Sequence, residues 1–279
     1  MSAAKLLVVH WNQPVACAAT VRAFLAQEGT LDVTVIDNCS EPTAFEELQR
    51  LLPAETSVVR LEENRGWGGA LNVLLQRWLH EEAQPYCLIS AHDSEPAPDC
   101  LRLLLAAAES DSRLGIICPQ YLEPYVARLS QRRGVVPENV APQPRGTVQE
   151  VDAPHGTLML VRRECLAEIG GFDERFFAYG DEHELGLRAA RRGWKVAMIW
   201  GALVTNPRTG TASALRSYLF ARNSLLIVRD YCGRRAAWGR VLLLLGNTFR
   251  FAFSRAERAS VKPRLRGVRD FVRGRFGKP

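Results

Sequence analysis

The chain has 279 residues, 47% of them apolar, enough for one large α/β domain or one domain with an appendage. Its seven cysteines, at 17, 39, 87, 100, 118, 165 and 232, are odd in number and form no C-x-x-C pair. That excludes a disulfide framework and a zinc site and fits buried free thiols in a reducing compartment.

The N-terminus leads straight into a strand-like run, so no signal peptide is expected. Apolar runs predict strands at Lys5–Trp11, Asp32–Asp37, Ser57–Glu62, Tyr86–Ala91 and Leu114–Pro119. Amphipathic segments between them predict helices at Pro14–Gln27, Thr43–Leu52, Gly68–His80 and Asp99–Ser110. This alternation implies a mostly parallel sheet with helices on both faces. Such sheets bind ligands beyond the carboxyl ends of their strands. Those ends carry His10-Trp11-Asn12, Asp37-Asn38 and His92-Asp93.

Residues 119–150 interrupt the rhythm with Pro119, Pro124, Pro137, Pro142 and Pro144 and with Arg128, Arg132, Arg133 and Arg145. They predict a long irregular excursion, a mobile loop near the site. Order returns at Gly156–Arg163 and Glu164–Ile169, and a strand is expected at Lys195–Val204. From Ser213 the pattern is helical.

Net charge is +6 but unevenly divided. Residues 229–279 hold 14 of the 36 Lys/Arg and 3 of the 30 Asp/Glu, a net of +11, against −5 over residues 1–228. The expected organisation is a body over 1–228 with a basic amphipathic extension over 229–279. Such a tail suits an anionic membrane surface. Its longest apolar stretch, Val241 to Phe253, is too short to span a bilayer and is broken by Arg250. The alternative for Leu242–Phe253 is a core helix packed on the body. Nucleic acid is not expected, because the tail's aromatics lie inside apolar runs and do not form stacking platforms.

Two acidic clusters carry the chemistry. Asp93-Ser94-Glu95 closes an apolar run, and on an extended chain its two carboxylates face the same way. They can share a hard divalent cation with a substrate's phosphates; the bland alternative is a solvated turn with Asp99 capping the next helix. The second cluster packs Asp181, Glu182 and Glu184 into four positions after Gly180. Helix chemistry assigns Asp181 to an N-cap and Glu184 to a capping box or an i,i+4 pair with Arg188. Glu182 is left without a structural partner. It is a candidate general base, or it only complements the helix dipole.

Glycines in Asn64-Arg65-Gly66-Trp67-Gly68-Gly69-Ala70-Leu71-Asn72 let backbone amides approach a phosphate or sugar. A dinucleotide fingerprint is rejected, since Leu71 stands at its third glycine and the segment follows the third strand. His10, His80, His92, His155 and His183 show no metal-ligand spacing; His92 and His155 flank the expected site loops.

Together these motifs resemble the inverting GT-A glycosyltransferases of family 2, in particular their rhamnosyltransferase-like branch. The resemblance runs from Val8 to about Arg229. It rests on Val8 to Asn12, Val35-Ile36-Asp37-Asn38-Cys39-Ser40, Asn64 to Asn72, Gly170 to Arg188 with Arg191-Arg192-Gly193-Trp194, and Arg222-Asn223, in that order. It implies an α/β GT-A fold with a nucleotide-binding sheet. It implies that Asp37 contacts the base or ribose, and that Asp93 and Glu95 take the place of a D-x-D pair holding Mg²⁺ or Mn²⁺. Glu182 aligns with the catalytic aspartate and Asp181 with the preceding glutamate; because E-D is here D-E, Asp181 remains the second candidate base. His10, Asn12, Asn64, Gly66, Trp67 and Asn72 join Asp37 and Asp93 as expected nucleotide-sugar contacts. Many relatives carry a histidine after the last strand as a further ligand. Here Val204 to Gly210 has none, and Arg208 is the candidate to serve the phosphates instead.

The implied reaction moves a sugar from a dTDP-, UDP- or GDP-linked donor to an acceptor hydroxyl of a lipid-linked glycan or polysaccharide precursor. It is a metal-assisted single displacement with inversion, in a cytoplasmic enzyme peripheral to the inner face of the plasma membrane. A nucleotidyltransferase and a non-catalytic sugar-nucleotide or membrane-binding module are the alternatives.

Overall fold

A computed structural model describes residues 4–121, 125–206, 212–254 and 258–279. The first half alternates β1 (Ala4–His10), α1 (Pro14–Leu25), β2 (Leu31–Asp37), α2 (Pro42–Leu51), β3 (Ser57–Arg60), α3 (Gly66–Glu81) and β4 (Tyr86–Ala91). Then come β5 (Glu95–Pro96), α4 (Cys100–Ser110) and β6 (Leu114–Tyr121). Pro14 and Pro42 start α1 and α2 at positions that need no amide donor.

Among the described residues the main sheet has nine strands. Its order is β3-β2-β1-β4-β10-β6-β11-β5, with β9 (Val148–Glu150) also on β11 (Lys195–Thr205). β1 lies parallel to β2 and β4, β2 to β3, and β6 to β11. β10 (Leu158–Arg162) runs antiparallel between β4 and β6, with Leu158 opposite Ser90. The expected mostly parallel sheet is present, and its one reversed central strand matters for the site. Because β10 enters from the carboxyl edge, residues 152–157 lie beside the end of β4.

Alternate residues of each strand feed two cores. Leu6 and Val8 pack with Val21 and Phe24 of α1 and Leu101 and Leu104 of α4. Leu7 and Val9 pack on the opposite face with Leu71, Leu75 and Trp78 of α3, and with residues of α5 (Arg163–Ile169) and α6 (Asp181–Arg191). Each such buried aliphatic side chain contributes about 1.5–3 kcal/mol.

The irregular excursion expected over 119–150 is corrected. β7 (Tyr125–Ser130) and β8 (Gly134–Asn139) form an antiparallel hairpin, and β9 adds to the sheet. A two-stranded hairpin leaves each strand one free edge, so Pro137 is accommodated opposite Ala127. Asp152 ties the hairpin down by accepting the Leu129 amide at 2.7 Å.

α7 (Ser213–Cys232), α8 (Arg234–Ala252), a 3₁₀ turn at Arg258–Ser260 and α9 (Val261–Val272) complete the chain. The boundary expected at 228/229 falls inside α7. The core-helix reading of the apolar tail holds for one face of α8. Ala237, Val241 and Leu244 pack against Leu225 and Val228 of α7 and Val268 and Phe271 of α9, while the opposite side is exposed. No helix among the described residues is long and apolar enough to cross a membrane. All seven cysteines are free, five of them buried.

Candidate active site

The carboxyl ends of β1 and β2 are closed by a buried pair. His10 Nδ1 lies 2.9 Å from Asp37 Oδ1, and both side chains are fully buried. The Gln13 amide donates to His10 Nε2 at 3.1 Å. With Nε2 accepting, the ring proton sits on Nδ1 and donates to Asp37. Burial opposes ionisation of Asp37, but hydrogen bonds from His10 and Ser40 outweigh it and hold the carboxyl below its usual range. Arg60 Nε is 3.4 Å from the other oxygen. Asp37, expected to meet the base or ribose, is engaged within the protein here. Asn12 is exposed at φ 52°, and its Oδ1 accepts the Glu41 amide at 2.8 Å.

The glycines of 66–69 serve a different approach from the one expected. They let α3 meet the loop carrying the second acidic cluster. Gly66 has φ 77°, and a Cβ there would stand 2.1 Å from the Phe177 carbonyl. The Trp67 amide donates to that carbonyl at 2.7 Å, and the half-buried Trp67 ring packs edge-on to Phe172. Asn64 Oδ1 accepts from the Gly66 amide and from Asn38. Asn72 pairs with both backbone groups of Phe172 and with Glu174. Gly66 and Asn72 thus meet the loop, while Asn64 braces Asn38 and the start of α3.

That loop is strained. Phe177 and Tyr179 have φ of 67° and 63°, and Gly180 has 95°. Asn223 of α7 holds it open, its Nδ2 lying 3.0, 2.8 and 2.7 Å from the carbonyls of Phe176, Ala178 and Tyr179. Arg222, also buried, donates to Phe176 O and to Gly277 O. The Arg222-Asn223 motif is therefore the buttress of this loop, a role its spacing in sequence did not disclose.

The expected cap is corrected. Gly180 is the N-cap of α6, and no side chain caps it. Asp181 lies in the first turn, 1% exposed, because its Oδ2 reaches the Gly68 amide of α3 at 3.1 Å. Glu184 forms no capping box; its carboxylate binds Arg188 and the Tyr231 hydroxyl. Glu182 Oε2 accepts the Gly180 amide at 2.8 Å, and its side chain is 13% exposed. Asp181 Oδ1 has no donor. Burial, then the charge of Glu182, pushes the Asp181 carboxyl well above its usual range. A proton on Asp181 shared toward Glu182 satisfies both groups.

The two acidic clusters meet across residues 155–157. A Cβ on Gly156 would touch Glu182 Cδ at 3.4 Å, and the next carbonyl, of Thr157, accepts the Ala91 amide at 3.0 Å, two residues before Asp93. His155 donates from Nε2 to Pro119 O, and its Nδ1 is buried without a partner. His92 bonds Val9 O through Nδ1, with Nε2 likewise orphaned. Burial holds both imidazoles down at about 4, so both are neutral at physiological pH.

The path at 93–95 is a turn followed by β5, not one extended run. Burial raises the Asp93 carboxyl, the Glu95 charge adds to that, and a hydrogen bond from Asn206 opposes it. The Tyr121 hydroxyl donates to Asn206 Oδ1 at 2.8 Å, leaving the Asn206 NH₂ for Asp93. The Thr205 hydroxyl donates to Glu95 at 3.3 Å. Tyr121, Thr205 and Asn206 escaped the sequence reading, although the last two close an apolar strand just as His10 and Asp37 do. Arg208 lies outside the described residues. No group of three His, Cys, Asp or Glu able to hold a metal occurs among the described residues. Mg²⁺ and Mn²⁺ accept one or two carboxylates and take their other oxygens from water and phosphates. Asp93 and Glu95 are hard oxygen donors, Asp93 is raised chiefly by burial, and the pair fits such an ion.

A family model described as "Glycosyltransferase like family 2" matches residues 3–224. The N-acetylglucosaminyl-diphospho-decaprenol L-rhamnosyltransferase of Mycobacterium tuberculosis is 31% identical over 91 residues, 32% of this chain and 29% of that protein. The match therefore spans less than a third of that relative. The low-salt glycan biosynthesis hexosyltransferase Agl10 of Haloferax volcanii is 24% identical over 277 residues, covering 90% of this chain and 86% of its own. Among solved structures, a mannosyltransferase from Pyrobaculum calidifontis in complex with GDP-Man and Mn²⁺ has a TM-score of 0.62 at 15% identity, covering 96% of this chain and 86% of that one. TarS 1-349 of S. aureus in complex with UDP-GlcNAc has a TM-score of 0.56 at 16% identity, covering 98% and 81%. At such identities the structures speak for the fold, the GT-A arrangement of a mostly parallel sheet flanked by helices. The family match takes in every strand and helix that builds the two acidic clusters and reaches the buttress in α7, and the chain belongs to glycosyltransferase-like family 2.

Proposed function

We propose that this chain transfers a sugar from a nucleoside-diphosphate sugar to an acceptor hydroxyl in one displacement that inverts the anomeric centre, with Glu182 as the base. The observation that carries this is the division between the two neighbouring acids. Asp181 is buried against α3 and favours its proton, whereas Glu182 is the more exposed and abuts Gly156, whose neighbour Thr157 accepts the amide of Ala91 two residues before Asp93. Glu182 takes the acceptor proton as that oxygen bonds to the anomeric carbon and the nucleoside diphosphate departs. Asp181, donating toward Glu182, keeps the base ionised until then. The Gly180 amide fixes its orientation.

Asp93 and Glu95 would hold Mg²⁺ or Mn²⁺, which when bound offsets the charge of the leaving diphosphate. His10, Asp37, Asn64, Gly66 and Asn72 act in this reading as positioning residues beneath the nucleotide, while Asn12 and Trp67 border it. The acceptor is a lipid-linked glycan precursor at an anionic membrane, met through the basic tail at the cytoplasmic face. Support comes from the rhamnosyltransferase relative, named for a decaprenol-linked acceptor, and from the tail's net charge of +11.

The test is a thermal-shift screen against UDP-, dTDP- and GDP-sugars with Mn²⁺, followed by NMR of the product's anomeric configuration. One donor is expected to stabilise the chain and to give an inverted product. A retained configuration, or neither binding nor turnover across the panel, overturns the reading.

A further inference from the structure

α8 has two apolar faces, and only one is used by the fold. Trp238, Leu242, Leu245, Phe249 and Phe253 recur at steps of four, three, four and four residues, which places them on one stripe along the helix. Each is between 38% and 78% exposed. Phe249 and Phe253 even pack edge-on to one another in solvent, with ring centroids 5.1 Å apart. Isolated exposed apolar residues are ordinary; a continuous stripe of large ones marks a surface that meets something.

We propose that this outer face of α8 docks on an anionic membrane, with the helix lying in the membrane plane and the stripe entering the boundary between headgroups and acyl chains. The inner face of α8 is packed on α7 and α9, so the helix cannot cross the bilayer, and lying flat is the geometry left to it. Charge selects the occupant. Residues 231–256 contain five arginines and no Asp or Glu. A second copy pairing through α8 would bring like charges together with no carboxylate to meet them. Lipid phosphates supply the missing anions, and the apolar stripe supplies the part of the binding that salt does not screen.

The docked face is joined to the acidic site. α7 packs against both α8 and α9. From α7, Arg222 reaches Gly277 O in the tail and Phe176 O in the loop before α6, and the Gly277 amide donates to Arg175 O. Docking therefore holds the loop that leads to Asp181 and Glu182 at a fixed height above the leaflet. This rests on the membrane-acceptor reading above, and its test is separate from the test of transfer.

The full chain is cosedimented with vesicles of phosphatidylcholine alone and of phosphatidylcholine with phosphatidylglycerol. Wild type is expected to bind the anionic vesicles and to be released only partly by salt. The double variant Leu242→Glu with Phe249→Glu changes solvent-facing positions and is expected to bind about tenfold more weakly or less. Its melting temperature and its donor-induced shift are expected to match wild type. Brominated acyl chains should quench Trp238 fluorescence, read as the difference from Trp238→Phe. Equal binding by the double variant, or no quenching of Trp238 in vesicle-bound protein, overturns the proposal. So does a wild-type dimer that the double variant disperses while neither protein binds vesicles. Vesicle binding with no donor stabilisation would leave the docking surface standing and remove the transfer reading.

Discussion

The Gly68 amide donates to Asp181 Oδ2 at 3.1 Å, so the first turns of α3 and α6 meet at one buried carboxyl group. The other oxygen has no donor, and the Glu182 carboxylate lies beside the group. Two helix N-termini favour negative charge here, but burial and the neighbouring carboxylate oppose it, and the raised carboxyl shows which side prevails.

Stability should therefore fall as pH rises through this group. The unfolded chain releases the Asp181 proton near 3.8, whereas the folded chain retains it to higher pH. Between those values the folded state binds more protons, and stability drops with increasing pH. Asp181→Asn keeps an acceptor for Gly68 and removes the titration. Urea melts across a pH series should show the variant's stability flatter above pH 4, and at neutral pH higher by on the order of 1 kcal/mol. Parallel curves for the two proteins would mean that Asp181 is already ionised when folded.

The same pair yields a kinetic contrast. Glu182→Gln should lower kcat by about 10²–10⁴-fold while leaving the donor Kd, measured by calorimetry, near wild type. Asp181→Asn should lower kcat less than about tenfold, because the amide can still donate toward Glu182. The reverse order of losses would make Asp181 the base.

Asn223 tests the buttress. Asn223→Ala removes the donor facing the carbonyls of Phe176, Ala178 and Tyr179 in a loop with two non-glycine residues at positive φ. The expected loss is about 2–4 kcal/mol in denaturant melts, since a buried acceptor left unpaired costs about 1–3 kcal/mol. Limited proteolysis should then cut within 173–180. A variant as stable as wild type would show that the loop holds itself.

Much of this was legible in the sequence, and the gaps have physical causes. Apolar runs placed β1, β2, β3, β4, β6 and β11 to within two residues at each end, and all but β3 of these are largely buried. The 119–150 region misled because its prolines signal an irregular loop, although Pro137 sits in a hairpin whose strands have free edges. The roles of Asp181 and Asp37 were hidden for another reason. A carboxylate's partner is set by tertiary approach, of Gly68 in one case and of His10 in the other, and neither approach leaves a local signal. Asn206 was passed over because a histidine was expected nearby, yet its amide is oriented by Tyr121 from another strand.

Asn206 also leads to the metal prediction. Tyr121 occupies Asn206 Oδ1, so the amide nitrogen faces Asp93 and aims that carboxylate. Donors of this kind in the outer shell of a metal site are worth about 10–100-fold in affinity. Mn²⁺ binding, followed by EPR with a nucleoside diphosphate present, should weaken by about tenfold in Asn206→Ala and Tyr121→Phe. Loss of a carboxylate in Asp93→Asn or Glu95→Gln should weaken it further, because among the described residues no third His, Cys, Asp or Glu joins a group that could hold the ion. EDTA should abolish transfer, with either Mg²⁺ or Mn²⁺ restoring it. If Asn206→Ala binds Mn²⁺ as tightly as wild type while Asp93→Asn does not, Asp93 is a ligand whose orientation comes from the 92–94 turn, tied to α1 by Thr20, and not from Asn206.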